Sequence, residues 1–332
     1  MTVLVPGMTT LPLRGWRAGV TTAFALTLGR PSLWLLGSLG FAARGGFLLL
    51  ALPIITIPSP AVLSVIFRGQ FAVTGISPER EAAVALLVGG LLVSGLLLAA
   101  YADVAAFERL IGDPESGELR AGVEARPLER GEGRRLALAL AGIQALALAP
   151  AVIVALGLYQ GLAGLVLSEV QAPSSLATPL VLRVLQAARD PLLAFALLLV
   201  LADVLYALAS RAVLAWQFRI GLLGRPRPAG LLAAAMHGAE RLIVRPLRSM
   251  ATVLLAWSVS LVVLAPIVWA SSVAWDWLRG AFLSPAGWSE QTTLIPALLA
   301  SLALAAIWVA GAILAGFASS VRAALWSVDA LR

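Results

Sequence analysis

The feature that most limits how this chain can fold occurs three times. An Arg-Pro step opens a long apolar stretch, and a second proline stands in the far part of it. The clearest copy starts at Arg245, Pro246, Leu247, Arg248 and runs to Ala265, Pro266, Ile267, Val268. The others start at Arg30, Pro31 and at Arg126, Pro127, Leu128, and reach Leu52, Pro53 and Ala149, Pro150. In chain order the two prolines lie 22, 23 and 20 residues apart, close to the ~20 residues with which an α-helix crosses a hydrocarbon core. Proline in the first helical turn costs no hydrogen bond, and the arginine beside it can reach a headgroup. The inner proline removes one helical bond and predicts a kink.

Hydrophobic residues make up 60% of the 332 and charged residues 12%, against roughly 25% charged in a soluble domain. A helical protein embedded in lipid follows, because lipid offers no partner to an unpaired backbone amide. Six segments are apolar enough to cross: roughly 33–57, 83–107, 136–158, 191–215, 249–272 and 292–319. All basic charge is arginine. Outside the hydrocarbon, counting Arg211 at the inner end of its span, eighteen arginines fall on one side and five on the other, which places both termini in the cytoplasm by the positive-inside rule. Residues 1–30 lack the continuous apolar core of a secretory signal and are expected to be retained. Their ladder Trp16, Val20, Phe24, Leu28 would lie along a membrane surface or against the protein's own cytoplasmic face.

Further likenesses extend the repeat. Arg17-Ala18-Gly19-Val20 recurs as Arg120-Ala121-Gly122-Val123, and Tyr101-Ala102-Asp103-Val104 resembles Leu201-Ala202-Asp203-Val204. The run from Arg211 to Trp216 resembles that from Arg322 to Trp326. The expected fold is all-α: a polytopic transmembrane bundle of three tandem helical hairpins with interfacial amphipathic helices. It forms one domain over 1–332, with repeats at 14–107, 120–216 and 229–326.

Ionisable residues inside spans are candidates for function. Arg44 lies near the middle of the first span, and Asp103 and Asp203 occupy matching places in the second and fourth. One reading pairs Arg44 with an aspartate inside the bundle as part of a proton or ion path. The other leaves the aspartates at the water boundary, with Arg44 snorkelling or lying at a helix break made by Gly45 and Gly46. Headgroup contacts are expected of Arg30, Arg126, Arg225, Arg227, Arg241, Arg245 and Arg248, most of them in the basic loop 216–248, where Leu232, Met236, Ala239 and Ile243 share a helical face. The same arginines also serve simply to hold that loop inside. Trp269, Trp275, Trp277 and Trp288 gather in the last outer connection, as an aromatic belt would. Gly37, Gly40, Gly90, Ser94, Ala312 and Gly316 are the small residues expected to let helices approach closely.

Catalysis has little to build on. The chain has no cysteine and one histidine, His237, so thiolate chemistry and a two-histidine metal site are excluded. No phosphate-binding glycine loop occurs, and neither cofactor nor metal is expected. The order of surface helix, Arg-Pro step, span and return span resembles a broad group of poorly characterised bacterial six-span membrane proteins. That group includes the membrane domain of some glycerophosphodiester phosphodiesterases. The resemblance implies a fold and an inner-membrane location, and carries over no catalytic residues. The expected role is a non-enzymatic structural or accessory subunit, with membrane lipids, anionic headgroups on the cytoplasmic side and other membrane subunits as partners, and no nucleic acid. The alternative is a permease or lipid-handling protein using a cleft between kinked spans.

Overall fold

A computed structural model describes residues 16–51, 78–112, 130–175, 180–217, 231–282 and 291–330. These are almost wholly helical, with no strand among them. The helices are α1 (Trp16–Leu28), α2 (Pro31–Ala43), α3 (Phe47–Ala51), α4 (Pro78–Gly112), α5 (Arg130–Gln171), α6 (Leu180–Ala187), α7 (Arg189–Gln217), α8 (Leu231–Val244), α9 (Pro246–Phe282) and α10 (Gln291–Ala330). Five of them, α4, α5, α7, α9 and α10, are long and apolar enough to cross a membrane. The 42 residues of α5 reach about 60 Å at 1.5 Å per residue, about twice a hydrocarbon core. Only 22–33% of each crossing window is buried, and the surface carries Leu86, Ile153, Leu197, Val262 and many similar side chains. So much exposed apolar area suits hydrocarbon and not water.

The Arg-Pro steps act as helix starts in two of their three copies. Arg30 caps α2, with Pro31 at its first position, and α9 begins at Pro246, where the Ser249 amide donates to Arg245 O at 3.1 Å. The third copy, Arg126-Pro127, lies outside the described residues, as does Pro53. Pro150 and Pro266 sit inside the continuous helices α5 and α9, and both are exposed.

Over the expected first span, 33–57, the helix is not continuous: α2 stops at Ala43, α3 covers Phe47–Ala51, and 52–57 lie outside the described residues. Gly46 N–H donates to Phe41 O at 2.9 Å and Gly45 N–H to Ala42 O at 2.9 Å, the paired bonds of a Schellman terminus. Gly45 occupies its left-handed position with φ 82°, which glycine adopts without steric cost. The third span, expected over 136–158, is longer in the structure. α5 stays helical to Gln171 and α6 follows at Leu180.

α10 packs against more of the other helices than any element, its largest contacts being with α9 and α2. α2 also packs on α4, α5 on α4 and α7, and α8 on α7. α1 lies on α10, where Val20 and Phe24 join the cluster of Ala23, Leu26, Val321, Ala324 and Val328. Trp16 Nε1 donates to Thr252 Oγ1 at 3.2 Å. The ladder on α1 thus turns toward the protein itself, leaving Leu28 exposed.

Small residues set the closest approach, between α2 and α10. A Cβ on Gly316 would collide with Ser38 Oγ and Trp34 O, and one on Gly37 with Gly316 O. Ser38 Oγ donates across the seam to Ala312 O at 2.8 Å, and Ser320 Oγ to Leu33 O at 2.6 Å. In α4 the glycine that meets a neighbour is Gly95, facing Ala43 O, whereas Gly90 has open space around it and Ser94 is exposed. Gly316→Leu is therefore expected to cost about 1–3 kcal/mol, as overpacking does. Gly89→Ala, with nothing within 4 Å of the added Cβ, should be neutral or stabilising. Thermal unfolding of both variants in mild detergent checks the contrast.

Candidate functional site

The polar centre of the bundle forms around Asp103. It lies on α4, two turns from the end that meets the start of α2, where Arg109 Nη1 donates to Ser32 O at 3.4 Å and Arg30 Nη1 to Arg109 O at 3.3 Å. Six residues of helix put Asp103 about 9 Å inward of that contact, and it is buried. Its Oδ2 accepts from Arg44 Nη2 and, at 2.6 Å, from the Tyr206 hydroxyl. Its Oδ1 accepts from Arg211 Nη2 at 3.1 Å.

Each partner reaches this point for a local reason. Arg44 follows the end of α2, so its backbone is exposed at the break while its side chain, 24% exposed, folds back along the helix. Glycine at position 40 leaves room for that path, since a Cβ there would stand 3.2 Å from Arg44 Nη1. The guanidinium carbon lies 5.7 Å from the centre of the Tyr206 ring, within cation–π range. Tyr206 and Arg211 are five residues apart on α7, both buried, so they address Asp103 from successive turns. Arg44 combines the two readings: it lies at the helix break made by Gly45 and Gly46, and its guanidinium pairs with Asp103.

Asp203 does not share in that contact. It pairs with Arg322 of α10. A third pair joins Arg248 of α9 to Asp329 of α10. The pairs form a sequence across the bundle: Asp103 of α4 to Arg211 of α7, Asp203 of α7 to Arg322 of α10, and Asp329 of α10 to Arg248 of α9. The first two join the matched aspartates to the matched arginines of the two related segments. Each aspartate bonds the arginine of the following segment. Arg211, Arg322 and Tyr206 were not among the candidates from sequence; the likeness of the runs from Arg211 and Arg322 was the signal that pointed to them.

The other expected residues scatter. Arg245 is exposed, Arg30 and Arg248 are half-buried, and Arg248 is engaged with Asp329. Arg126, Arg225 and Arg227 and the side chain of Arg241 lie outside the described residues, as does Trp288. Trp269 and Trp277 are each 70% exposed. Trp275 packs beside Ala274, Leu278, Ala300 and Leu304. On α8, Leu232, Met236 and Ile243 face away from the bundle. At the opposite end, Glu169 binds Arg183 Nε at 2.9 Å and accepts from Ser174 N at 3.0 Å, fastening α6 to α5. Among the described residues no group of acids or histidines could hold a metal ion.

Chemically, this centre can hold charge and fix helix register. It is one guanidinium richer than its carboxylates. Removing Asp103 strands two arginines, so Asp103→Asn is expected to cost about 3–5 kcal/mol. Asp203→Asn, in a pair whose side chains are 24–28% exposed, should cost about 1 kcal/mol or less. Chemical denaturation in detergent orders the two. Comparison of the chain with family models, curated proteins and solved structures finds no match.

Proposed function

We propose that this chain is a six-span integral protein of a bacterial inner membrane, serving as a non-enzymatic structural or accessory subunit of a membrane complex. In this reading the first span begins with α2 and α3, the spans pair as three tandem hairpins, and both termini are cytoplasmic. The observation that carries it is the fate of the ionised side chains. Asp103, Asp203 and Asp329 each meet one or two arginines across helices, which suits a scaffold better than a conducting path. Meanwhile the crossing surfaces are apolar and largely uncovered, as lipid or neighbouring spans require. α8 lies on the cytoplasmic membrane surface with Leu232, Met236 and Ile243 toward the acyl chains and Arg245 toward anionic headgroups. Such a contact is worth about 1 kcal/mol per arginine.

A permease or lipid-handling role is the second reading, and one observation favours it. The first span is interrupted beside a charged residue, Arg44, and transporters use such breaks at their binding sites. Extraction from native membranes in mild detergent separates the two. Stoichiometric co-purifying membrane proteins are expected of a subunit; a lone chain that exchanges a solute in liposomes would replace that reading with the permease. The topology has its own check, because the chain lacks cysteine. Single cysteines introduced at Arg120 and Ala235 should react with an impermeant thiol reagent only from the cytoplasmic side. Labelling from opposite sides would remove the three-hairpin arrangement.

A further inference from the structure

Three ionised side chains meet between α2, α4 and α7: Arg44 and Arg211 against Asp103, while Asp203 is matched one to one by Arg322. Two positive charges face one negative charge, so the group around Asp103 carries one positive charge in excess. That excess is concentrated on Arg211. Its side chain is 5% exposed, and only Nη2 is engaged, on Asp103 Oδ1. Nε and Nη1, on either side of that bond, are shielded from solvent and have no acceptor among the described residues. Asp103 cannot serve them, since its other oxygen already takes Arg44 and the Tyr206 hydroxyl. A guanidinium stays charged and offers five N–H donors, and in a desolvated setting such a charge requires a counter-charge.

We propose that Arg211, with Arg44 beside it, binds a small inorganic monoanion of the halide class. One negative charge balances the surplus, whereas a dianion would overshoot it. The enclosure around Arg211 favours a bare ion over a bulky organic acid. The break between α2 and α3, where Arg44 is exposed, is the way in. Gln144 is buried on α5, between Ala141, which packs with Ala100 and Val104 of α4, and Ala147, which packs with Tyr206 of α7. Its unpartnered atom is the acceptor Oε1, so the donors to the ion are those of the two arginines. The site is independent of whether the chain acts as a subunit or a permease.

Purified protein in neutral detergent is exchanged into gluconate, then titrated with bromide at constant ionic strength while its thermal midpoint is followed by tryptophan fluorescence. A saturable rise of a few degrees is expected, by linkage to the folded state. Arg211→Gln should abolish the response, and Arg183→Gln, at the far end, should keep it. Asp103→Asn removes the internal counter-charge and should lower the half-saturating bromide concentration at least tenfold, which a purely structural role would not do. A flat wild-type titration overturns the proposal, and so does an Arg211→Gln protein that responds like the wild type. Should these variants fail to fold, chloride-35 NMR on the wild type decides. Saturable line broadening that bromide displaces supports the site, and its absence overturns it.

Discussion

A charged side chain drawn into an apolar helical interior has to be met by its opposite, and that requirement organises this bundle. Asp103 binds partners from the end of α2 and from two turns of α7. Asp203 and Asp329 extend the pairing through α10 to α9. Dispersion between apolar helix faces tolerates sliding by a residue or a turn. A carboxylate between guanidiniums does not, because a shift of one residue leaves a buried charge alone. The pairs therefore set the relative heights of α4, α7, α9 and α10, and apolar contacts fill the space those heights leave.

Close packing completes what the charges begin. In an apolar solvent, helices gain little by hiding leucine, so backbone proximity and short hydrogen bonds decide which faces meet. The α2–α10 seam shows both effects. Gly37 and Gly316 allow the approach, and the hydroxyls of Ser38 and Ser320 donate across it to Ala312 O and Leu33 O. This seam gives the short α2 a firm hold on the bundle, and so gives Arg44 a fixed base from which to reach Asp103.

Much of the helical plan could be read from residues alone. Pro31 and Pro246 start helices where an Arg-Pro step said they would, and Gly45 beside Arg44 marks the break that ends α2. The likeness of the segments around Asp103 and Asp203 marked both as positions of interest. Other features escaped for identifiable reasons. Whether Gly90 or Gly95 faces a neighbour depends on a rotation of α4 that its uniformly apolar sequence does not encode. The continuation of α5 to Gln171 was hidden because an apolar run reads alike as interfacial connection or prolonged helix. Tyr206 lies in a segment where one more aromatic residue carries no signal of its own.

What residues determine by themselves here is the solvent and the element. So high an apolar fraction, with charges gathered at segment ends, demands helices, since only a helix satisfies its own backbone without water. Which charges meet was left to the tertiary structure. Arg44 and Asp103 are 59 residues apart, and Asp103 and Arg211 are 108 apart. Contact at such separations depends on how whole helices rotate and slide against one another, and no local pattern records that.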